Sequence, residues 1–134
     1  MNAQGAATVE INSPDVVAEV KEAWLRYNRA LGDNDIAGMN QLFWNSPHTV
    51  RYGFTENLYG HQEISRYRTT QAKKLDRSLG RCVITTFGRD FATTCVETRT
   101  AGSDRQGRQT QTWLRTDQGW RIAAAHVSNM EPPR

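Results

Sequence analysis

RCVITTFGRDFATTCVETRTAGSDRQGRQTQTWLRTDQGWRIAAAHV, residues 81–127, is the stretch that decides the fold. It divides into runs rich in β-branched and aromatic residues at 81–87, 91–100, 108–115 and 119–127. The separators are turn-like: Gly88-Arg89-Asp90, then 101–107, then 116–118. Strands joined by such short links form an antiparallel meander. One face of that sheet must be covered, so helices have to come from the rest of the chain.

They are found upstream. Ser13-Pro14-Asp15 reads as a helix start, with a capping hydroxyl, proline at the first helical position and an acid in the first turn. Val16, Val17, Val20, Trp24, Tyr27 and Leu31 then form an apolar stripe, and Gly32 ends the helix. Asp33 or Asn34 is expected to cap a second, shorter helix that turns Ile36, Met39, Leu42 and Phe43 inward. Asn45-Ser46-Pro47 is a break, and 49–54 reads as a short strand. Gly60 opens a third helix running to about Leu75, with Ile64, Tyr67 and Ala72 or Leu75 facing in. The order is α-α-β-α-β-β-β-β. Residues 1–12 are expected to be disordered or loosely packed, and 13–130 to form one domain.

Composition narrows the function classes. A chain of 134 residues with 37 % hydrophobic and 23 % charged residues can bury a real core. No apolar run approaches the ~20 residues that span a bilayer. Nor does the N-terminus show a basic segment followed by an apolar one, so a cytoplasmic location and no membrane partner are expected. The net charge is +3, and the basic residues are scattered rather than gathered into a stripe, which argues against nucleic acid. Of the 17 basic residues 14 are arginine. Arginine grips carboxylates with a planar fork, which suits a protein handling small anions, although codon usage also produces such a surplus. Cys82 and Cys95 fall roughly opposite each other if a hairpin turns at Gly88, and are expected to be buried thiols rather than a disulfide. His48, His61 and His126 lack metal-ligand spacing, so no metal is expected.

The order of elements, with the closing Gly119-Trp120-Arg121-Ile122-Ala123-Ala124-Ala125-His126-Val127-Ser128, resembles the nuclear-transport-factor-2-like superfamily, its SnoaL-like members in particular. That resemblance implies an α+β, cone-shaped fold with three helices packed on a curved, mostly antiparallel sheet. The superfamily holds isomerases, dehydratases, cyclases and non-catalytic binders, so the fold alone does not give function. A narrower similarity is carried by Arg51-Tyr52-Gly53, Glu56 through Gly60, Ile64 with Arg68, the 85–92 stretch, Glu97 with Arg99, and 107–113. These motifs, in this order from about Asp15 to Ser128, resemble the family of the 1,3-dicarboxyurea amidohydrolase of cyanuric acid breakdown and its relative in oxalurate catabolism. The resemblance implies removal of an N-carboxyl group from a small ureido dicarboxylate, leaving allophanate, with no cofactor. It also implies that Tyr27 and Arg51 are the key residues.

The same residues can be read from chemistry. A small dianion is desolvated cheaply only where cationic donors replace water. Arg51 sits between Val50 and Tyr52 in a strand otherwise fit for burial, either gripping a carboxylate or paired with an acid such as Glu97. Tyr27 is either a core tyrosine or, beside Arg51, an acid–base group acting on the departing nitrogen or on a water. Strict alternation puts His126 and Ser128 on one face with Ile122 and Ala124, lining the pocket or closing the sheet's end. Gln109, Gln111 and Trp113 share a face that is either a wet pocket wall or a subunit interface. Arg68 is a second carboxylate clamp or a solvated helix residue, and Trp44 is core or a substrate platform.

The leading expectation is thus a cofactor-independent decarboxylating amidohydrolase for a small anionic ureido substrate. The alternative is a non-catalytic ureido-acid (oxalurate) binder assisting a separate amidase. A third reading is a structural subunit that assembles through the sheet's open face. A homodimer or higher homo-oligomer is expected in each case, since a sheet face carrying Trp113 or its neighbours wants covering.

Overall fold

In the computed structural model, residues 8–71 and 76–132 are described. Helix α1 (Pro14–Gly32) begins at the expected proline and carries Asp15 in its first turn. Ser13 occupies the cap position, but its hydroxyl makes no capping bond and is buried without a partner. The buried stripe is Val16, Val20, Ala23, Trp24, Tyr27 and Ala30, at helical spacing. Val17 and Leu31, expected in that stripe, are only half-buried. Helix α2 (Ile36–Leu42) is capped by Asp35, whose carboxylate accepts from the Gly38 N–H at 3.0 Å. The expected caps are displaced because Asp33 instead closes α1 and Asn34 takes a left-handed φ of 55°.

Phe43 leaves the helix in extended conformation and bridges Ile122, and the Trp44 N–H donates to the Ile122 carbonyl at 2.8 Å. Two short strands follow, β1 (Val50–Tyr52) and β2 (Asn57–Tyr59), before helix α3 (His61–Gln71). β2 lies where no strand is expected from sequence. Gly60, at φ 86°, makes the tight entry into α3. The expected inward residues Ala72 and Leu75 lie outside the described residues.

The meander is as expected, with three of its four strands longer and β4 unchanged: β3 (Arg77–Phe87), β4 (Phe91–Thr100), β5 (Gln106–Thr116) and β6 (Gly119–Asn129). The sheet order is β2-β1-β6-β5-β4-β3, antiparallel throughout except for β1 beside β6. Register shifts at Leu79/Cys82 and Thr112/Trp113 are bulges, which bend the sheet around the helices. Residues 10–12 are bonded rather than loose. Ile11 bridges Phe87, the Asn12 N–H donates to the Thr86 carbonyl at 3.1 Å, and the Thr86 N–H donates to Asn12 Oδ1 at 2.9 Å. This segment covers part of the β3 edge.

The core lies between α1–α3 and the inner sheet face, with Val16, Val20, Ile64, Trp113 and Ile122 fully enclosed. Cys82 is half-buried and Cys95 exposed, both as thiols. They are not the buried pair expected, because register sets Cys82 against Val96 and Val83 against Cys95, and one step changes face.

Candidate functional site

Three elements bring cations to one phenol. Tyr27 on α1 is 2 % exposed and packs against Phe43, ring centroids 5.8 Å apart. Arg68 follows the enclosed Ile64 by one helical turn, which carries it into the core rather than to solvent. It donates from Nη2 to the Tyr27 hydroxyl at 3.4 Å and from Nη1 to the Met39 thioether at 3.3 Å, with its guanidinium 4.7 Å from the Phe43 centroid. Arg51 points inward from β1. Arg77, at the start of β3, donates to Asn28 Oδ1 at 3.0 Å. Burial alone would push the Tyr27 phenol up, but the positive charges of Arg68, Arg51 and Arg77 outweigh it and hold the phenol below the ordinary tyrosine range.

The cations are unequally compensated. Arg51 Nη1 pairs with Glu56 at 2.7 Å, not with Glu97, whose carboxylate instead accepts from Gln106. Burial raises Glu56, but the bonds from Arg51 and Thr55 draw it below the ordinary carboxylate range. Burial of the charge also pulls Arg77 down, partly offset by Tyr27. Among the described residues, no carboxylate lies within ion-pair distance of Arg68 or Arg77. The Arg68 guanidinium is 7 % exposed, with Nε unpartnered among the described residues and a thioether as one acceptor, so its buried charge is poorly compensated within the chain.

The floor of the site is the inner face of β5. Gln109 and Gln111 are 6 % and 1 % exposed, buried within a single chain, so they do not form a subunit interface. Gln109 Oε1 and Gln111 Nε2 have no hydrogen-bond partner among the described residues. Trp113 is fully enclosed, its indole N–H donating to Thr94 Oγ1 at 3.1 Å, so it is not part of an open sheet face.

Other expected site residues fall elsewhere. Trp113 pairs with Ile122 but Thr112 pairs with Ala124, so Ala123 is the extra residue of a bulge. The alternation therefore reverses there, and His126 and Ser128 sit on the outer face. His126 is exposed and meets Tyr52 edge-on at 5.9 Å, while Ser128 Oγ accepts from Arg108 at 3.4 Å. Trp44 is half-buried at a surface cleft of about 720 Å3 shared with His61, Gln118 and Arg121. In that cleft His61 Nε2 bonds the Asn40 carbonyl at 2.8 Å and Arg121 donates to the Trp120 carbonyl at 2.9 Å, while Asn40 Oδ1 is buried without a partner among the described residues. Unpaired buried charge distinguishes the Tyr27 cluster and makes it the candidate site. Among the described residues, no group of three His, Cys, Asp or Glu side chains is placed to hold a metal.

Sequence reasoning misses Glu56 as the partner of Arg51, and Arg77 altogether. Glu56 lies five residues from Arg51 across a turn, a spacing that a hairpin would have explained had β2 been visible. Arg77 falls between the expected helix and strand, where no periodicity marks it.

A protein with a cystatin-like fold from Burkholderia xenovorans LB400 is 46 % identical, with a TM-score of 0.89, over 94 % of this chain and 100 % of that one. A protein of unknown function from Pectobacterium atrosepticum SCRI1043 is 48 % identical, with a TM-score of 0.88, over 90 % and 95 % of the two chains. An NTF2-like protein of unknown function from Pseudomonas putida KT2440, 16 % identical with a TM-score of 0.73 over 87 % of each chain, shares the fold. No curated protein matches. The AtzH-like family model matches residues 9–133, nearly the whole chain, and this protein belongs to the AtzH-like family.

Proposed function

We propose that this chain removes an N-carboxyl group from a small ureido dicarboxylate, converting 1,3-dicarboxyurea to allophanate in the cyanuric acid branch of nitrogen catabolism. The observation that carries this reading is the buried Tyr27 phenol held among three guanidiniums, two of them without a carboxylate partner among the described residues. Such a cluster replaces the water around a dianion. Arg68 and Arg77 each have charge to offer a carboxylate, and Arg51 can be shared between Glu56 and substrate.

The chemistry needs one proton. The nitrogen bearing the leaving carboxylate takes the proton of the Tyr27 hydroxyl, and the C–N bond breaks with its electron pair going to nitrogen. The carboxylate departs as carbon dioxide. The phenolate left behind is stabilised by the same guanidiniums that lower its pKa, and solvent returns the proton. Membership of the AtzH-like family supports this substrate class, and the roles of Tyr27 and Arg51 are those that the resemblance of the sequence motifs implies.

The test is incubation of purified protein with freshly prepared 1,3-dicarboxyurea while allophanate is followed. Formation faster than in buffer, reduced about 100-fold or more in Tyr27→Phe, is expected. Binding without turnover would favour the ureido-acid binder that assists a separate amidase.

A further inference from the structure

Gln111 lies in one transverse row that crosses the whole inner face of the sheet. Register pairs Ile84 with Thr94, Thr94 with Gln111, Gln111 with Ala125, Ala125 with Arg51, and Arg51 with Leu58. Two strand spacings therefore separate Gln111 from Arg51, roughly 10 Å between backbones, and the only side chain between them in the row is the methyl of Ala125. Between the buried amide and the guanidinium the sheet thus offers one small side chain and no competing polar group.

The orientation of the Gln111 amide follows from its neighbours. An indole N–H can only donate, so Thr94 Oγ1 accepts from Trp113 at 3.1 Å. The Thr94 hydroxyl has a single hydrogen, and its one acceptor among the described residues is Gln111 Oε1, at 3.1 Å. Turning the amide over would leave that hydrogen buried and unbonded, because Thr94 is 1 % exposed. The relay Trp113 to Thr94 to Gln111 thus presents Nε2 as a fixed donor. At 1 % exposure this donor has no acceptor among the described residues.

We infer that Gln111 is the specificity-determining donor of the site, its Nε2 binding the central carbonyl of the ureido group while the guanidiniums take the terminal carboxylates. This rests on the reading that the Tyr27 cluster receives a small dianion. A buried amide N–H that meets a methylene in place of a carbonyl loses its only partner, so the site discriminates against carbonyl-free dianions of the same length.

Two probes isolate the carbonyl: glutarate, and 3-oxoglutarate, which carries a ketone in place of the central methylene and is used freshly dissolved because it loses carbon dioxide slowly on its own. Calorimetry with the wild-type chain should show 3-oxoglutarate bound about tenfold more tightly than glutarate. In Gln111→Met the ratio should fall to about one, with glutarate affinity held. Thr94→Val, which releases the amide to turn, should also shrink the ratio, and it carries the test if Gln111→Met does not fold. Equal binding of both probes by the wild type, or an unchanged ratio in either folded variant, overturns this inference and leaves the dianion site standing. Failure of the wild type to bind either probe overturns both.

Discussion

Tyr27 is a phenol whose environment contains two opposed pressures, and the geometry decides between them. Enclosure disfavours its anion, while three guanidiniums favour it and prevail. A tyrosinate absorbance titration of wild type minus Tyr27→Phe should therefore show a midpoint below the ordinary phenol value of about 10. It should also lie below those of Tyr59 and Tyr67, which are pushed up by Tyr52 and by burial beside Glu56 respectively. In Arg68→Gln the Tyr27 midpoint should rise. The sign for stability follows from the depressed value: the group's contribution is complete above the unfolded phenol's pKa and is lost as pH falls through the folded one. A difference titration with its midpoint at or above the ordinary value would remove the electrostatic basis of the proposed proton transfer.

At the scale of elements, the β1–β2 hairpin positions Arg51 through Glu56, and the turn between them has little room. A Cβ at Gly53 would overlap the Glu56 carboxylate, so Gly53→Ala should expel that carboxylate from Arg51. Glu56→Gln should cost about 1 kcal/mol at neutral pH, as for one charge-assisted bond in a partly solvated place. Because Glu56 is depressed in the folded state, its contribution is present above the unfolded glutamate pKa and disappears as pH falls through the folded one. The gap in melting temperature between wild type and Glu56→Gln should therefore close on acidification, and a gap that persists at low pH would mean that packing, not charge, is at stake. This hairpin also marks where the sequence stops being legible. The meander was readable because 10- and 11-residue strands repeat the apolar alternation many times, and α1 because its buried residues span several turns. β2 has three residues and one buried side chain, too few to carry a period. The bulge at Ala123 is a different kind of silence. Three consecutive alanines look alike on either face, so nothing in them shows where the alternation reverses and sends His126 outward. Tyr27, Arg51, Arg68 and Gln109 were legible as candidates, but burial of Arg68 comes from tertiary packing that helix position alone contradicts.

For the whole molecule, the Arg68 site sets binding against stability. The cation sits among Met39, Tyr27 and Phe43, surroundings that would suit a thioether or an alkyl chain, with no described carboxylate to offset its desolvation. Replacing a buried charge by an apolar side chain of similar length is often neutral or stabilising. Arg68→Met should then raise the melting temperature of the ligand-free protein, by about 4 °C if the gain is ~1 kcal/mol. The same change should abolish the rise in melting temperature that glutarate gives the wild type, because a ligand stabilises only the state it binds. The two measurements belong together. A variant that is more stable and deaf to the dianion identifies Arg68 as a charge kept for binding at the expense of the fold. A variant that melts several degrees lower would instead make its bonds to Tyr27 and Met39 structural, and the anion site would have to be sought around Arg51 and Arg77 alone.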